Sequence, residues 1–352
     1  MSLIKETIDK ISPLSQEARD KAKARLDQLT MPHWALGRLM DLAVDMAGMT
    51  GQSPPPVERK TIVTMAGDHK VTEEGVSLYP AEVTPQMIGN FVNGGAGVNA
   101  LSSLTGARVV VVDMGVNADL SAMGDTIIHK KIGMGAANIA KGPAMSREDA
   151  VKSIEAGIEI ATDLADSTDV FGAGDMGIGN TTPSSAIIAA ITGSDPGDIT
   201  GRGTGLDDDQ LKHKVEVIRT ILKVNKPDMS DGVDILAKLG GFEIGGIAGL
   251  MLGAASMRKP ILIDGFISTA GALIAKTIEP KSQDYMISSH LSVEPGHSQM
   301  LKALGANPLL DMNMRLGEGA GAALALCLVD AASKTLTKIA TFEEAAVSQA
   351  DK

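Results

Sequence analysis

The chain has 352 residues, with 43 acidic side chains against 32 basic ones, a formal net charge of -11 and 44% hydrophobic residues. This is an ordinary globular composition, long enough for one large domain or a large and a small one with a core that needs no staples. Nucleic acid demands basic surface and often aromatic stacking platforms, and an acidic chain with only 2% aromatic residues excludes that partner class.

The opening stretch "MSLIKETIDKISPLSQ" is charged and lacks a continuous apolar centre, so no secretory signal is expected. Charged residues or glycines interrupt each apolar run before it reaches the length of a membrane span. The single cysteine, Cys327, cannot form an internal disulfide and suits a reducing compartment. These features together predict a cytoplasmic protein. Nineteen methionines against five phenylalanines, two tyrosines and one tryptophan read first as core filler, with a pocket for a flat ligand as the alternative.

Residues 5 to 48 read as helices. "SQEARDKAKARLDQL" has a cap-like start at Ser15, and "LGRLMDLAVDMAGM" continues the spacing after Pro32. "GQSPPPVERK" then breaks the pattern. From Thr61 the texture changes to short apolar runs: "TIVTMAGDH", "ARVVVVDMG", "STDVFGAGD", "KPILIDGF" and "DYMISSHLS". Helical stretches such as "SREDAVKSIEAGIEIATDLA" and "EIGGIAGLMLGAASM" separate most of them. Apolar strands without alternation, spaced by helices, predict a doubly wound α/β fold on a mainly parallel sheet. Ligands of such sheets bind beyond the carboxyl ends of the strands, which here carry Asp68, His69, Asp113, Asp175, Asp264 and Ser288 to Ser292. The last helix, from Ala320, is expected to return to the N-terminal helices. The predicted organisation is an α/β catalytic domain over 58–309 and a small helical domain made of 1–57 together with 310–352.

Three loops carry chemistry. In "FGAGDMGIGNTTPSSAII" the glycines Gly172, Gly174 and Gly177 formally satisfy a dinucleotide-binding pattern after a strand. A helix starting at Pro183, capped by Thr181 or Thr182, leaves Gly179 and Asn180 outside as well. The loop then reads as a longer cradle for an anion or sugar, with a ligand-free turn as the alternative. "GRGTGLDDDQLKHK" offers Lys212 and Lys214 either to a phosphate or to solvent. "LIDGFISTAG" and "SSHLSVEPGH" add hydroxyls that suit a ribose and a phosphate. No P-loop motif is present, and the six histidines show no zinc-like spacing, so neither a metal nor a cofactor is indicated. "ILIDGFISTAG" holds one acid where a diphosphate-sugar loop has a pair. In "RLGEGAGAALAL", Glu318 stands between Gly317 and Gly319 ahead of an apolar run; the stretch alone fits a helix-start charge and an active-site acid equally well.

"GDMGIGNTTPSSAI", "LGGFEIGGIAGLMLGAA", "ILIDGFISTAGAL", "SSHLSVEPGH" and "NMRLGEGAGAALAL", in this order, resemble the nicotinate-nucleotide:dimethylbenzimidazole phosphoribosyltransferase family, called CobT, almost from end to end. The resemblance implies a homodimer that moves 5-phosphoribose from nicotinate mononucleotide to 5,6-dimethylbenzimidazole, without a metal. It implies that Glu318 is the catalytic base, taking the proton from one ring nitrogen as the other attacks C1′. It places Gly177, Asn180, Thr181 and Thr182 along the mononucleotide, with Asp175, Lys214, Asp264, Ser292 and Arg315 near its ribose, phosphate or carboxylate. Tyr79, Gln86, Met87, Met176 and Leu316 are the residues it implies for the base pocket. Three positions depart from the family pattern. Asp175 stands where many members have glutamate, Met87 where some have glutamine, and "MPHWALGRL" puts Met31 where lysine is usual. These bear on which base is accepted. The competing readings are the same transfer to another azole, a purine or a phenol, a nicotinamide-dinucleotide oxidoreductase, and a non-catalytic nucleotide sensor.

Overall fold

The computed structural model describes residues 2–348; Met1 and residues 349–352, the end of the predicted C-terminal segment, lie outside the described residues. The apolar runs become β1 (Lys60–Gly67), β2 (Arg108–Gly115), β3 (Ile128–His129), β4 (Val170–Met176), β5 (Ile261–Ile263) and β6 (Met286–Ser288). They form one sheet in the order β3-β2-β1-β4-β5-β6 with every pairing parallel. This confirms the predicted fold class.

Both faces of the sheet are covered, and β1 shows why. Side chains of a strand alternate in direction, so Ile62 and Met65 point to opposite faces. Met65 meets the helix Phe242–Ser256, whose Gly246 would bring a Cβ 2.9 Å from its sulfur. Ile62 meets the start of the last helix, where a Cβ on Gly319 would lie 2.6 Å from Cγ2. Wholly buried strands therefore carry apolar residues on both sides, and no alternation is visible in the sequence.

The run "DYMISSHLS" divides between two sheets. After β6 the Ser289 hydroxyl donates to the carbonyls of Ile263 (2.6 Å) and Asp264 (2.7 Å), and the chain turns into β7 (His290–Ser292). This strand pairs in parallel with β8 (Leu310–Met314). The C-terminal segment expected to be helical thus opens with a strand. Its "LDMNM" has no β-branched residue and is mostly exposed, which left no periodicity to read.

The N-terminal helices form as expected. Ser15 caps Gln16–Leu26 by accepting from the Ala18 N–H at 3.2 Å, and Arg38–Thr50 follows. The final helix, Ala320–Lys338, packs on both of these and on β4. Arg25 pairs with Glu344 at 2.7 Å, and Thr30 N–H donates to the Ala340 carbonyl at 3.0 Å, so the two ends of the chain are joined. By length and composition this helix could cross a membrane, with 19 residues and a mean hydropathy of 1.3, against the expectation that no run would be long enough. Its Ala322, Ala325, Leu326 and Val329 lie inside the protein.

Candidate active site

The order β3-β2-β1-β4-β5-β6 reverses direction between β1 and β4, and a crevice beyond the carboxyl ends of two such strands is where α/β sheets bind ligands. A cavity of about 500 Å³ lies there. Asp175 to Thr181 line it from the β4 loop, Gly265 to Ile267 from the β5 loop, His290, Ser292 and Glu294 from β7, and Arg315 to Gly317 from the end of β8.

The glycines of "FGAG" serve packing. A Cβ on Gly174 would collide with the main-chain carbonyl of Glu318, and one on Gly172 would sit 3.3 Å from the Ala322 Cβ. The strand is stripped so that the Gly317-Glu318-Gly319 turn can lie against it. All three residues of that turn have positive φ: 79°, 65° and 97°. For glutamate this backbone region is strained, and it persists only where the surroundings fix it. Here Glu318 N–H donates to the Asp175 carbonyl (3.1 Å), Thr64 Oγ1 donates to the Glu318 carbonyl (2.8 Å), and Gly319 N–H donates to Asp264 Oδ2 (3.2 Å).

The Glu318 carboxylate accepts from Val98 N–H through Oε2 at 3.1 Å. Burial raises its pKa, opposed by the N–H groups of Val98 and Gly97. The side chain thus serves the start of a different helix, Gly97–Ser102, and not that of its own helix at Ala320. Glu318 follows Gly317, the last residue of this turn on the cavity lining.

Asp175 is buried on the cavity wall. Its Oδ2 accepts from Asn180 Nδ2 at 2.9 Å, and Oδ1 has no partner among the described residues. Burial, then repulsion from Asp264, raises its pKa to about 8. The Asn180 side chain is thereby committed, and the helix begins at Thr181, two residues before the expected Pro183. Thr181 and Asn180 face the cavity, while Thr182 is buried behind it. Lys214, 0% exposed, reaches the Thr181 hydroxyl at 2.7 Å. Burial pushes its ammonium down to about 8, against the pull of Glu294. Arg315 lines the cavity and donates to the Gly203 carbonyl at 2.9 Å, while Lys214 lies behind Thr181, outside the lining. Asp264 is wholly buried, and its oxygens accept from the N–H groups of Gly319 and Ala322. It holds the start of the last helix and does not line the cavity.

Of the residues implied for a base pocket, Met176 lines the wall, and Tyr79 and Leu316, each 56% exposed, form an apolar rim. Gln86 and Met87 sit on the helix Val83–Val92, outside the lining. Thr84 of that helix accepts from Ile178 N–H at 3.2 Å and so supports the β4 loop from below.

Several site-forming residues were not foreseen. His290, within the expected strand end Ser288 to Ser292, and Glu294 line the cavity, and both lie in "SSHLSVEPGH". Below the site His69 and Glu243 form a buried pair at 2.6 Å. Burial works to lower the His69 pKa, and Glu243 outweighs it and raises it. Among the described residues, no group of three or more metal-ligating side chains converges.

A family model described as Phosphoribosyltransferase matches residues 11–347. The chain belongs to this phosphoribosyltransferase family. It is 58% identical to the nicotinate-nucleotide–dimethylbenzimidazole phosphoribosyltransferase of Syntrophotalea carbinolica over 99% of both chains. It is 56% identical to the protein of the same name from Desulfotalea psychrophila over 100% of both. Two crystal structures from Thermus thermophilus superpose on it, one described as that same enzyme and one as CobT. Both give a TM-score of 0.89; they are 40% and 41% identical, covering 96% and 95% of this chain and 100% of theirs. The two crystal structures thus share the overall fold of this chain.

Proposed function

We propose that the protein transfers 5-phosphoribose from nicotinate mononucleotide to 5,6-dimethylbenzimidazole, giving nicotinate and α-ribazole 5′-phosphate. End-to-end likeness to relatives of that name carries the reading, and the site chemistry fits it. One benzimidazole nitrogen attacks C1′, and the C1′–N bond to the pyridinium breaks with its electron pair returning to that nitrogen. The proton on the second benzimidazole nitrogen passes to Glu318. One oxygen of this carboxylate rests on Val98 N–H, which leaves the other for proton transfer, and burial raises its basicity. The pyridinium departs as a neutral ring, so the leaving group needs neither an acid nor a metal. Attack from the face opposite the departing ring turns a β-linked donor into an α-linked product.

In this reading Lys214 and Arg315 hold the phosphate. Asn180, Thr181, Ser292 and the Gly177 backbone line the mononucleotide, and Met176 and Leu316 face the incoming ring. The protein would act as a cytoplasmic homodimer. Its organisation would be an α/β catalytic domain, 58–309, with a small domain from both ends of the chain. Gln86 and Met87, implied for recognition of the incoming ring, lie outside the cavity lining, which supports one second reading, the same transfer to another azole, a purine or a phenol.

Purified protein incubated with nicotinate mononucleotide, with and without 5,6-dimethylbenzimidazole, decides between them. Base-dependent nicotinate release with a second product of ribazole phosphate mass is expected. Release only with a different acceptor selects the second reading, and no release with any acceptor refutes both.

A further inference from the structure

We infer that Gly97 is a positioning residue: its missing side chain keeps Leu316 back from the place where an acceptor ring meets Glu318, and so sets how wide a ring is taken. This rests on the reading of Glu318 proposed above. Leu316 lines the cavity, and Glu318 stands just beyond the lining, after Gly317. Their side chains flank one point. A Cβ on Gly97 would fall 2.6 Å from Leu316 Cδ2 and 3.2 Å from Glu318 Oε2. Gly97 itself is partly exposed, so its bare main chain is reachable surface beside the carboxylate.

The backbone does not ask for glycine here. Gly97 opens the helix Gly97–Ser102 without a positive φ, and in a helix glycine costs conformational entropy that alanine does not. Its neighbours do ask for it. The helix start cannot retreat from them: Val98 N–H is bonded to Glu318, Val98 is wholly buried, and Asn99 accepts from Ala96 N–H at 3.2 Å while donating to the Phe91 carbonyl at 3.1 Å. On the other side the Glu318 turn is fixed by its main-chain bonds to Asp175, Thr64 and Asp264. Leu316, 56% exposed, is the part free to move. A methyl on Gly97 therefore drives Leu316 off the helix start and towards the cavity it lines. That is the room of a ring whose N–H must reach Glu318, and a wider ring feels the loss first.

The test compares kcat/KM for 5,6-dimethylbenzimidazole and for benzimidazole, at saturating nicotinate mononucleotide, in wild type, Gly97→Ala, and Gly97→Ala combined with Leu316→Ala. A methyl too many in a fitted pocket is worth about tenfold or more. Gly97→Ala should lose about tenfold more on the dimethylated ring than on the bare one, with KM for the mononucleotide and the melting temperature near wild type. Trimming Leu316 gives the new methyl its space, so the double variant should return towards the wild-type ratio of the two acceptors. The ratio is measured within each variant, so neither a partly unfolded sample nor a displaced Glu318, which slows both acceptors alike, moves it. Equal losses on both rings, or a shifted ratio that Leu316→Ala leaves unchanged, overturn the inference and leave the proposed function standing. Wild type that accepts neither ring overturns it too, and wild type that releases no nicotinate with any acceptor overturns the proposed function with it.

Discussion

Thr64, buried in β1, donates a 2.8 Å hydrogen bond from Oγ1 to the main-chain carbonyl of Glu318, 254 residues further along the chain. It is one of three bonds that hold a glutamate in left-handed backbone. Thr64→Val keeps the shape and removes the donor. Leaving a buried carbonyl unmet costs about 1–3 kcal/mol, so thermal melting should show a destabilised but folded protein. Because the turn then relaxes, kcat should fall several-fold while KM for the mononucleotide stays nearly constant. An unchanged kcat would separate the turn's conformation from catalysis.

Glu318→Gln preserves the side-chain volume and can still accept from Val98 N–H through its amide oxygen. It loses the capacity to take a proton. Turnover should drop by about two orders of magnitude or more, with the melting temperature and mononucleotide affinity close to wild type. Calorimetric titration alongside the rate assay checks both halves. Near-normal turnover in a folded variant would leave Glu318 with its helix-start role alone.

What was legible in the sequence depended on distance along the chain. The apolar runs declared the parallel sheet because burial on both faces removes alternation, and Ser15 declared its helix because a cap is a local bond. Asn180 could not be read as a cap, since its amide is committed to Asp175. The glycines of "FGAG" read as a ligand cradle because their true neighbour, the Glu318 turn, lies far away in sequence. The same separation hid the His69–Glu243 pair and the hold of Asp264 on the last helix. Of the expected residues, Asp175, Met176, Gly177, Asn180, Thr181, Ser292, Arg315, Leu316 and Tyr79 line the cavity, whereas Glu318, Thr182, Lys214, Asp264, Gln86 and Met87 do not. The contacts that fix the backbones around it were not legible.

Asp175 makes stability depend on pH in an unusual sense. Its pKa rises on folding from 3.8 to about 8, so the native state keeps a proton that the unfolded state gives up. The stability this contributes is fully present below the unfolded value and is lost as pH climbs from about 4 to about 8. Asp175→Asn stays neutral and can still accept from Asn180. The variant should melt several degrees above wild type at pH 9 and differ less at pH 5. Parallel melting curves with no pH-dependent gap would contradict the buried-acid assignment.

Lys214 titrates in the opposite sense. With its ammonium pushed down to about 8 by burial, it is mostly charged at pH 7 and loses that charge just above. If it meets the donor's phosphate, mononucleotide affinity should weaken as pH rises through about 8. Lys214→Met keeps an unbranched stem in the same buried space and should bind the mononucleotide about ten- to a hundredfold more weakly at pH 7, the range for a charged hydrogen bond. Its affinity should no longer change across pH 8. Isothermal titration at several pH values distinguishes this from a lysine that only props Thr181, whose loss would leave the pH dependence of the remaining binding intact.

Gly174→Ala tests the strand's side of the same packing. The added methyl would strike the Glu318 carbonyl, a backbone atom bonded to Thr64 and unable to swing aside as a flexible side chain would. Either the turn moves off β4 or the strand shifts against its neighbours, and overpacking of this kind costs about 1–3 kcal/mol. A folded variant with a lower melting temperature and turnover reduced about a hundredfold is expected, because the displaced element carries the proposed base. Gly172→Ala should be milder: its methyl would meet the Cβ of Ala322 at 3.3 Å and side-chain atoms of Ile62, which can yield by tenths of an ångström. Equal losses in both variants would mean that β4 tolerates no side chain on this face at all, and the special relation of Gly174 to Glu318 would not stand.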